Sequence, residues 1–138
     1  MGVPSFTFTG KEFRESTVVL AKLEEAQIDF VVLAGFLLLV PPYLVEAFPN
    51  KIVNIHPALL PSYGGKGMYG DNVHKAVIAN KESKSGITIH YVNEKYDDGA
   101  VIYQAETTIS ATDTPDDLAT KIHALEYEHF PRIIDEVL

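Results

Sequence analysis

The fold is decided by two stretches, residues 30–36, FVVLAGF, and residues 52–56, IVNIH. The first stretch is apolar on both faces, which is typical of a central parallel strand covered on two sides. The second alternates, so that Asn54 and His56 share one face of a strand and its apolar residues share the other. Helical patterns surround both stretches, and this alternation predicts an open α/β sheet. Ligands of such sheets bind beyond the carboxyl ends of the strands.

Local signals predict the remaining elements of a single domain over residues 1–138. Thr9 and Glu12 form a capping box that opens a helix running to about Ala26. Asp71 is expected to cap a second helix, which runs to Asn80. The other expected elements are a strand at 6–9, a helix at 42–48, strands at 87–92 and 100–104, and a last helix from Thr114 with a kink at Pro131.

The composition excludes several classes of function. The 138 residues are 46% hydrophobic and 22% charged, as in an ordinary globular domain. The chain has no cysteine, so disulfides and thiolate metal sites are excluded. A net charge of −8 has the wrong sign for holding nucleic acid by its phosphates. No apolar run reaches the length of a membrane span and the start lacks a secretion-signal profile, so we expect a cytoplasmic protein without membrane or nucleic-acid partners.

Polar side chains at two predicted strand ends could form a catalytic site. The Asn54 amide and the His56 imidazole could stabilise an oxyanion, and Asp97, in an Asp-Asp-Gly turn, could move protons. His90 shares a strand face with Thr88 and could orient the Asp97 carboxylate. Each group also has a structural alternative, since buried polar groups usually satisfy loop backbone and turn aspartates usually shape turns. No Gly-x-Ser-x-Gly elbow is present, which favours direct transfer over a covalent intermediate.

A glycine-rich stretch and three histidines have simpler interpretations. Residues 64–70, GGKGMYG, do not keep the spacing of a phosphate-binding P-loop, so we predict a mobile loop or lid. His74, His123 and His129 lack the spacing of metal ligands, and we expect no metal. These histidines are predicted to lie at the surface or to pack between helices.

Residues 54–61, NIHPALLP, followed by the turn at 97–99, resemble the signature of the folate-dependent formyltransferase family. The resemblance extends over nearly all of the chain, including residues 33–36 and 125–131. It implies a Rossmann-like α/β fold with a mostly parallel sheet and flanking helices. The implied activity is transfer of a formyl group from 10-formyltetrahydrofolate to the amine of glycinamide ribonucleotide (GAR), a step of purine biosynthesis.

The resemblance also assigns roles to individual residues. Asn54, His56 and Asp97 match the catalytic trio of the family, in which the amide binds the formyl oxygen and the carboxylate keeps the histidine protonated. Apart from the resemblance, the strand face that Thr88 and His90 share makes them candidate support residues. The positions that match the folate site are Lys11, Leu37, Leu38, Leu39, Val40, Asn54, Asn93, Glu94, Lys95 and Tyr96, and those that match the GAR site are His123, Ala124, Leu125 and Glu126.

Several features depart from the family pattern. Family members begin with a βαβ unit whose Gly-Ser-Gly-Thr-Asn-like loop holds the GAR phosphate, and residues 1–138 contain no such loop. We therefore expect an N-terminally truncated fold with weak or absent turnover. Two alternatives stay open, a formyltetrahydrofolate hydrolase core and a non-catalytic folate-binding module. An exposed apolar sheet edge could also support a homodimer.

Overall fold

A computed structural model of the chain describes residues 2–95 and 98–138, and in this part four strands form one sheet flanked by five helices. None of these helices is long and apolar enough to cross a membrane. The strands are β1 (Val31–Leu33), β2 (Ile52–His56), β3 (Lys84–Tyr91) and β4 (Val101–Thr108), and the helices are α1 (Gly10–Glu15), α2 (Val18–Glu25), α3 (Pro42–Ala47), α4 (Asp71–Ala79) and α5 (Pro115–Val137).

The sheet is mixed and has the order β1-β2-β3-β4. The α/β class is confirmed, but the prediction of a mostly parallel sheet is wrong for these four strands. β1 and β2 are parallel, whereas β3 is antiparallel to both β2 and β4. Residues 92–100 connect β3 to β4, and a parallel crossover needs about a dozen residues or more. The short connection therefore requires an antiparallel pair.

β1 is an edge strand of the described sheet, although residues 30–36 predict a central one. Val32 is 41% exposed, so one face of this strand is not fully covered within the described chain. Apolar residues on both faces show that a strand can be buried, but they carry no information about its neighbours. The position of β1 in the sheet was therefore not available from its own residues.

Helix starts follow the predicted capping chemistry more closely than helix lengths do. The Thr9–Glu12 capping box is present, but the predicted first helix is divided into α1 and α2. Ser16 ends α1 in an extended conformation, and its hydroxyl donates to the Glu12 carbonyl at 2.7 Å, which competes with continuation of the helix. Asp71 is the first residue of α4, and the cap itself is Gly70. α5 passes through Pro131 as one continuous helix.

The predicted strand at residues 6–9 is absent, because residues 2–9 have no regular structure. The ring of Phe8 instead packs 5.3 Å from that of Phe13, and Phe13 belongs to a smaller core formed with α2 and α3. A larger core fills the space between the sheet and the helices α4 and α5. Packing of the aromatic rings thus replaces strand pairing in this segment.

Candidate functional site

The two faces of β2 and β3 have opposite chemistry. Val53 and Ile55 of β2 belong to the larger core, so the alternation predicted for this strand is confirmed. Asn54 lies opposite His90 and His56 lies opposite Thr88 across the antiparallel pair. Side chains at opposite positions of neighbouring strands lie on the same face of the sheet. Four of the five polar side chains that the sequence singled out therefore come together on one face, and the fifth, Asp97, lies outside the described residues.

His90 holds the amide of Asn54. Its Nδ1 lies 2.9 Å from the carbonyl oxygen of Tyr91, and its Nε2 lies 3.3 Å from Nδ2 of Asn54. A carbonyl oxygen can only accept, so the proton of a neutral ring lies on Nδ1 and Nε2 accepts a hydrogen from the amide. The other amide hydrogen of Asn54 is then available for a ligand. The expected contact between His90 and Asp97 stays a prediction, because Tyr96 and Asp97 lie outside the described residues.

His56 is buried, with 3% of its surface exposed, and is held by the loop that follows β2. Its Nε2 lies 2.7 Å from the carbonyl oxygen of Tyr63, so Nε2 carries a proton and donates it. The ring has a second donor only when it is protonated to the imidazolium. Stabilisation of an oxyanion by His56 through Nδ1 would consequently require the charged ring.

Thr88 is fully buried and fastens the loop between β2 and α4. Its hydroxyl donates to the carbonyl oxygen of Ala58 at 2.7 Å and accepts from the backbone N–H of Leu60 at 3.0 Å. The side-chain amide of Gln104 donates to the same hydroxyl and to the Leu60 carbonyl, both at 2.9 Å. Thr88 thus supports the loop that follows β2.

A cavity of about 710 Å³ opens at the carboxyl end of β2. Asn54 and His56 form part of its wall, and Leu37, His123 and Glu126 border it as well. These three had been assigned to the folate and GAR sites. Of the other residues assigned to GAR, Ala124 is exposed and Leu125 packs against the larger core.

A second, smaller cleft of about 50 Å³ lies beside the cavity. Asn54 borders both spaces, and His90 borders the cleft. Lys11 and Glu94 are exposed, and Tyr96 is outside the described residues. The remaining residues assigned to folate all line this cleft, namely Leu38, Leu39, Val40, Asn93 and Lys95.

Two titratable side chains of the cavity have shifted proton affinities. Burial raises the pKa of the Glu126 carboxyl, and His123 beside it works against the rise. Burial also lowers the pKa of His74; His123 and His56 lower it further, whereas Asp71 raises it. Within the described residues, the buried Nδ1 atom of His74 has no hydrogen-bond partner. Within the described residues, no group of three or more ligating side chains is arranged to hold a metal ion.

Two parts of this cavity were given other roles from the sequence, the glycine-rich stretch as a mobile loop or lid and His74 as a surface or helix-packing residue. Residues 65–70 of the glycine-rich stretch line it, and so does His74. The signal for His74 was its helical spacing to Val77 and Ile78, which places the three residues on one face of α4. That face packs against the larger core, and His74 is only 3% exposed.

Residues 2–134 match the formyl transferase family, and the chain belongs to this family. It is similar to the chloroplastic phosphoribosylglycinamide formyltransferase of Arabidopsis thaliana, with 47% identity over 83% of this chain and 39% of that protein. The Bacillus subtilis phosphoribosylglycinamide formyltransferase is 32% identical over 99% of the chain and 69% of that enzyme. The chain thus spans about two fifths of the length of the plant relative.

Solved structures give the same family. The phosphoribosylglycinamide formyltransferase of Streptococcus pneumoniae superposes with a TM-score of 0.87 and 38% identity, over 99% of this chain and 75% of that one. A formyltetrahydrofolate deformylase from Pseudomonas syringae is a more distant match, with a TM-score of 0.75 and 27% identity over 84% of this chain and 37% of that one.

Proposed function

We propose that the chain carries the catalytic centre for transfer of a formyl group from 10-formyltetrahydrofolate to the primary amine of GAR. One observation carries the proposal: the Asn54 amide, held by His90, borders both the 710 Å³ cavity and the smaller cleft beside it. A donor at this junction can reach a formyl group that passes from a ligand in one space to a ligand in the other. His56 lies on the wall of the same cavity, one alternate strand position further on.

The proposed reaction joins the amine nitrogen of GAR to the formyl carbon, passes through a tetrahedral intermediate and breaks the bond from that carbon to N10 of the folate. The Asn54 amide donates to the formyl oxygen, and protonated His56 stabilises the negative charge that develops there. Asp97 keeps His56 protonated and relays the amine proton to N10 through water. The role of Asp97 rests on the family resemblance, since this residue is outside the described part of the chain.

In this proposal the two ligands occupy the two spaces. The folate lies against residues 37–40 and 93–96, with its ring over the apolar side chains that border the smaller cleft and most of the molecule outside that space. GAR occupies the larger cavity, beside residues 123–126. The formyl donor acts as a co-substrate, and no metal takes part in these steps.

The test measures release of tetrahydrofolate and formation of formylated GAR by mass spectrometry. We expect His56→Ala and Asn54→Ala each to slow the transfer by a factor of about 100 or more, because loss of one oxyanion donor has this effect in other enzymes. His129→Ala is the matched control, since His129 is not among the described residues that line the cavity: its ring lies 5.2 Å from that of Tyr103 at a tilt of 42° and contacts Arg132. A His56→Ala protein with the wild-type rate would contradict the assignment.

Omission of GAR separates the alternatives. Release of tetrahydrofolate that does not depend on GAR would identify a hydrolase. Weak turnover is already expected of these 138 residues, so a non-catalytic folate module would be supported only if the chain binds a folate analogue and forms no formylated GAR even when the chain is in excess over both substrates. Cytoplasmic location and a homodimer stay predictions, and the Arabidopsis relative is named chloroplastic.

A further inference from the structure

Tyr63, in the loop between β2 and α4, has a backbone conformation that is unusual for a residue with a large side chain. Its φ is +58°, in the left-handed region that favours glycine. Two glycines follow it directly and would adopt this conformation at little steric cost. A strained residue of this kind persists only where the surrounding structure holds it, and such residues cluster at functional sites. The position of the tyrosine therefore needs an explanation.

The carbonyl group of Tyr63 is the part that the strained backbone directs at the candidate site. Its oxygen lies 2.7 Å from Nε2 of His56, which donates to it. A hydrogen bond at one ring nitrogen fixes the orientation of the imidazole and the side to which the other nitrogen points. Tyr63 itself is not among the described residues that line the cavity. Its effect on a ligand would therefore pass through His56.

The side chain of Tyr63 is fixed at two places. Its ring is half-buried and packs against the larger core. Its hydroxyl accepts a hydrogen bond of 3.0 Å from the side-chain amide of Asn80, the residue that caps the carboxyl end of α4. Thr88 fastens an earlier part of the same loop, at Ala58 and Leu60. The loop is thus attached to β3 on one side and to the end of α4 on the other.

We propose that Tyr63 is a positioning residue for His56: its anchored side chain holds the left-handed backbone, and that backbone directs the carbonyl that orients the imidazole. The contacts run from Asn80 through the hydroxyl, ring and carbonyl of Tyr63 to Nε2 of His56. With Nε2 held by the loop, the ring meets the cavity in one orientation, as a donor to a developing oxyanion requires. The effect on rate rests on the proposed function, whereas the orientation of the ring does not.

The test observes the Nε2–H proton of His56 by nuclear magnetic resonance of the 138-residue chain. A proton in a short, buried hydrogen bond resonates downfield and exchanges slowly with water, and we expect such a signal in the wild type. Tyr63→Phe and Asn80→Ala each remove the bond between hydroxyl and amide. Each should move the signal upfield and speed its exchange about three- to tenfold, the ratio that corresponds to loss of one hydrogen bond. Asn80→Asp should keep the signal, since the hydroxyl can donate to a carboxylate.

Two further variants separate positioning from general loosening of the fold. Tyr43→Phe is the matched control, because the Tyr43 hydroxyl donates to the Phe13 carbonyl at 2.6 Å and packs with the smaller core. It loses a comparable bond and should leave the His56 signal unchanged. Tyr63→Gly permits the left-handed backbone but removes the anchor, so it should perturb the signal more than Tyr63→Phe does.

The rate of formylation, measured with the chain in excess over both substrates, connects this orientation to chemistry. Tyr63→Phe should lower the maximal rate about three- to tenfold. The chain concentration that gives half of that rate should stay the same, since Tyr63 does not border the cavity. If the wild type forms no formylated GAR but the His56 signal responds as expected, the proposed function fails and the orientation of His56 by Tyr63 stands.

Three results would overturn the positioning role. The first is an Nε2–H signal that is the same in the wild type, Tyr63→Phe and Asn80→Ala. The second is a signal that changes equally in Tyr43→Phe, because the effect would then be a general loss of stability. The third is a wild-type chain without a protected Nε2–H signal, because the ring of His56 would then not be held by the loop.

Discussion

Replacement of Thr88 by valine isolates the bonds that hold the loop after β2. The two side chains have nearly the same shape, so the packing of this fully buried position changes little. The change removes three hydrogen bonds of 2.7 to 3.0 Å. In the wild type the Thr88 hydroxyl donates to the Ala58 carbonyl and accepts from the Leu60 N–H and the Gln104 side-chain amide. Gln104 keeps its bond to the Leu60 carbonyl. Two backbone groups in buried residues, the Ala58 carbonyl and the Leu60 N–H, then lose their side-chain partner.

The expected cost follows from those two groups. A buried polar group left without a partner costs roughly 1–3 kcal/mol, so the free energy of unfolding should fall by about 2–4 kcal/mol after some relaxation of the loop. With a urea m-value on the order of 2 kcal/mol/M for a domain of this size, the midpoint should fall by roughly 1–2 M. Turnover should also fall, because the same loop carries the Tyr63 carbonyl that holds His56.

Urea titration followed by circular dichroism measures this effect. Thr88→Ser keeps the hydroxyl and should recover most of the loss. Thr108→Val is the matched control, because Thr108 is exposed at the end of β4 and its change should stay within about 0.5 kcal/mol. A Thr88→Val protein as stable as the control would refute the role assigned to these hydrogen bonds.

Two further predictions concern buried positions. The pKa of His74 is lowered in the folded chain. Below about pH 6.5 the unfolded chain therefore binds more protons than the folded chain. As the pH decreases, the free energy of unfolding of the wild type should fall relative to that of His74→Leu, by at most about 1.4 kcal/mol per pH unit. Urea titrations between about pH 7.5 and pH 5 measure this difference. A Cβ at Gly86 would lie 1.9 Å from the Ala105 carbonyl oxygen and 2.7 Å from Cδ2 of Leu59, so Gly86→Ala should cost about 3 kcal/mol or more by thermal denaturation. Parallel pH profiles of stability for the wild type and His74→Leu would contradict the first expectation. A Gly86→Ala protein with the wild-type melting temperature would contradict the second.

The local parts of this structure could be predicted, and the long-range parts could not. The pleat of a strand determines which side chains share a face, so the five residues of β2 were enough to predict that Asn54 and His56 lie on the same face. That His90 would lie opposite Asn54 depends on the register of β2 against β3, which no local pattern encodes. The same limit explains the role of Thr88, whose partners are 28 and 30 positions away in the chain.

Element lengths and sheet directions were missed for physical reasons. β3 begins at Lys84, three residues before the predicted start. These first residues lack an apolar alternation, and their hydrogen bonds to β4 make them part of the strand. Residues 92–100 are too few for a crossover between parallel strands, so their length already argued that β3 and β4 are antiparallel. This local signal outweighs the general expectation that the sheet of an α/β chain is mostly parallel. That the exposed Lys66 and the buried His74 border the same cavity depends on where residues 64–70 and α4 lie in the fold.

The opposite chemistry of the two faces of β2 links activity to folding. A slip of β2 by one residue would turn Asn54 and His56 into the larger core and would turn Val53 and Ile55 toward the cavity. The misaligned chain would lose apolar burial and would bury an amide and an imidazole in an apolar setting, which is strongly unfavourable. A molecule that reaches its stable register has thereby also assembled its polar site, so mispaired species are disfavoured by the same residues that we assign to chemistry.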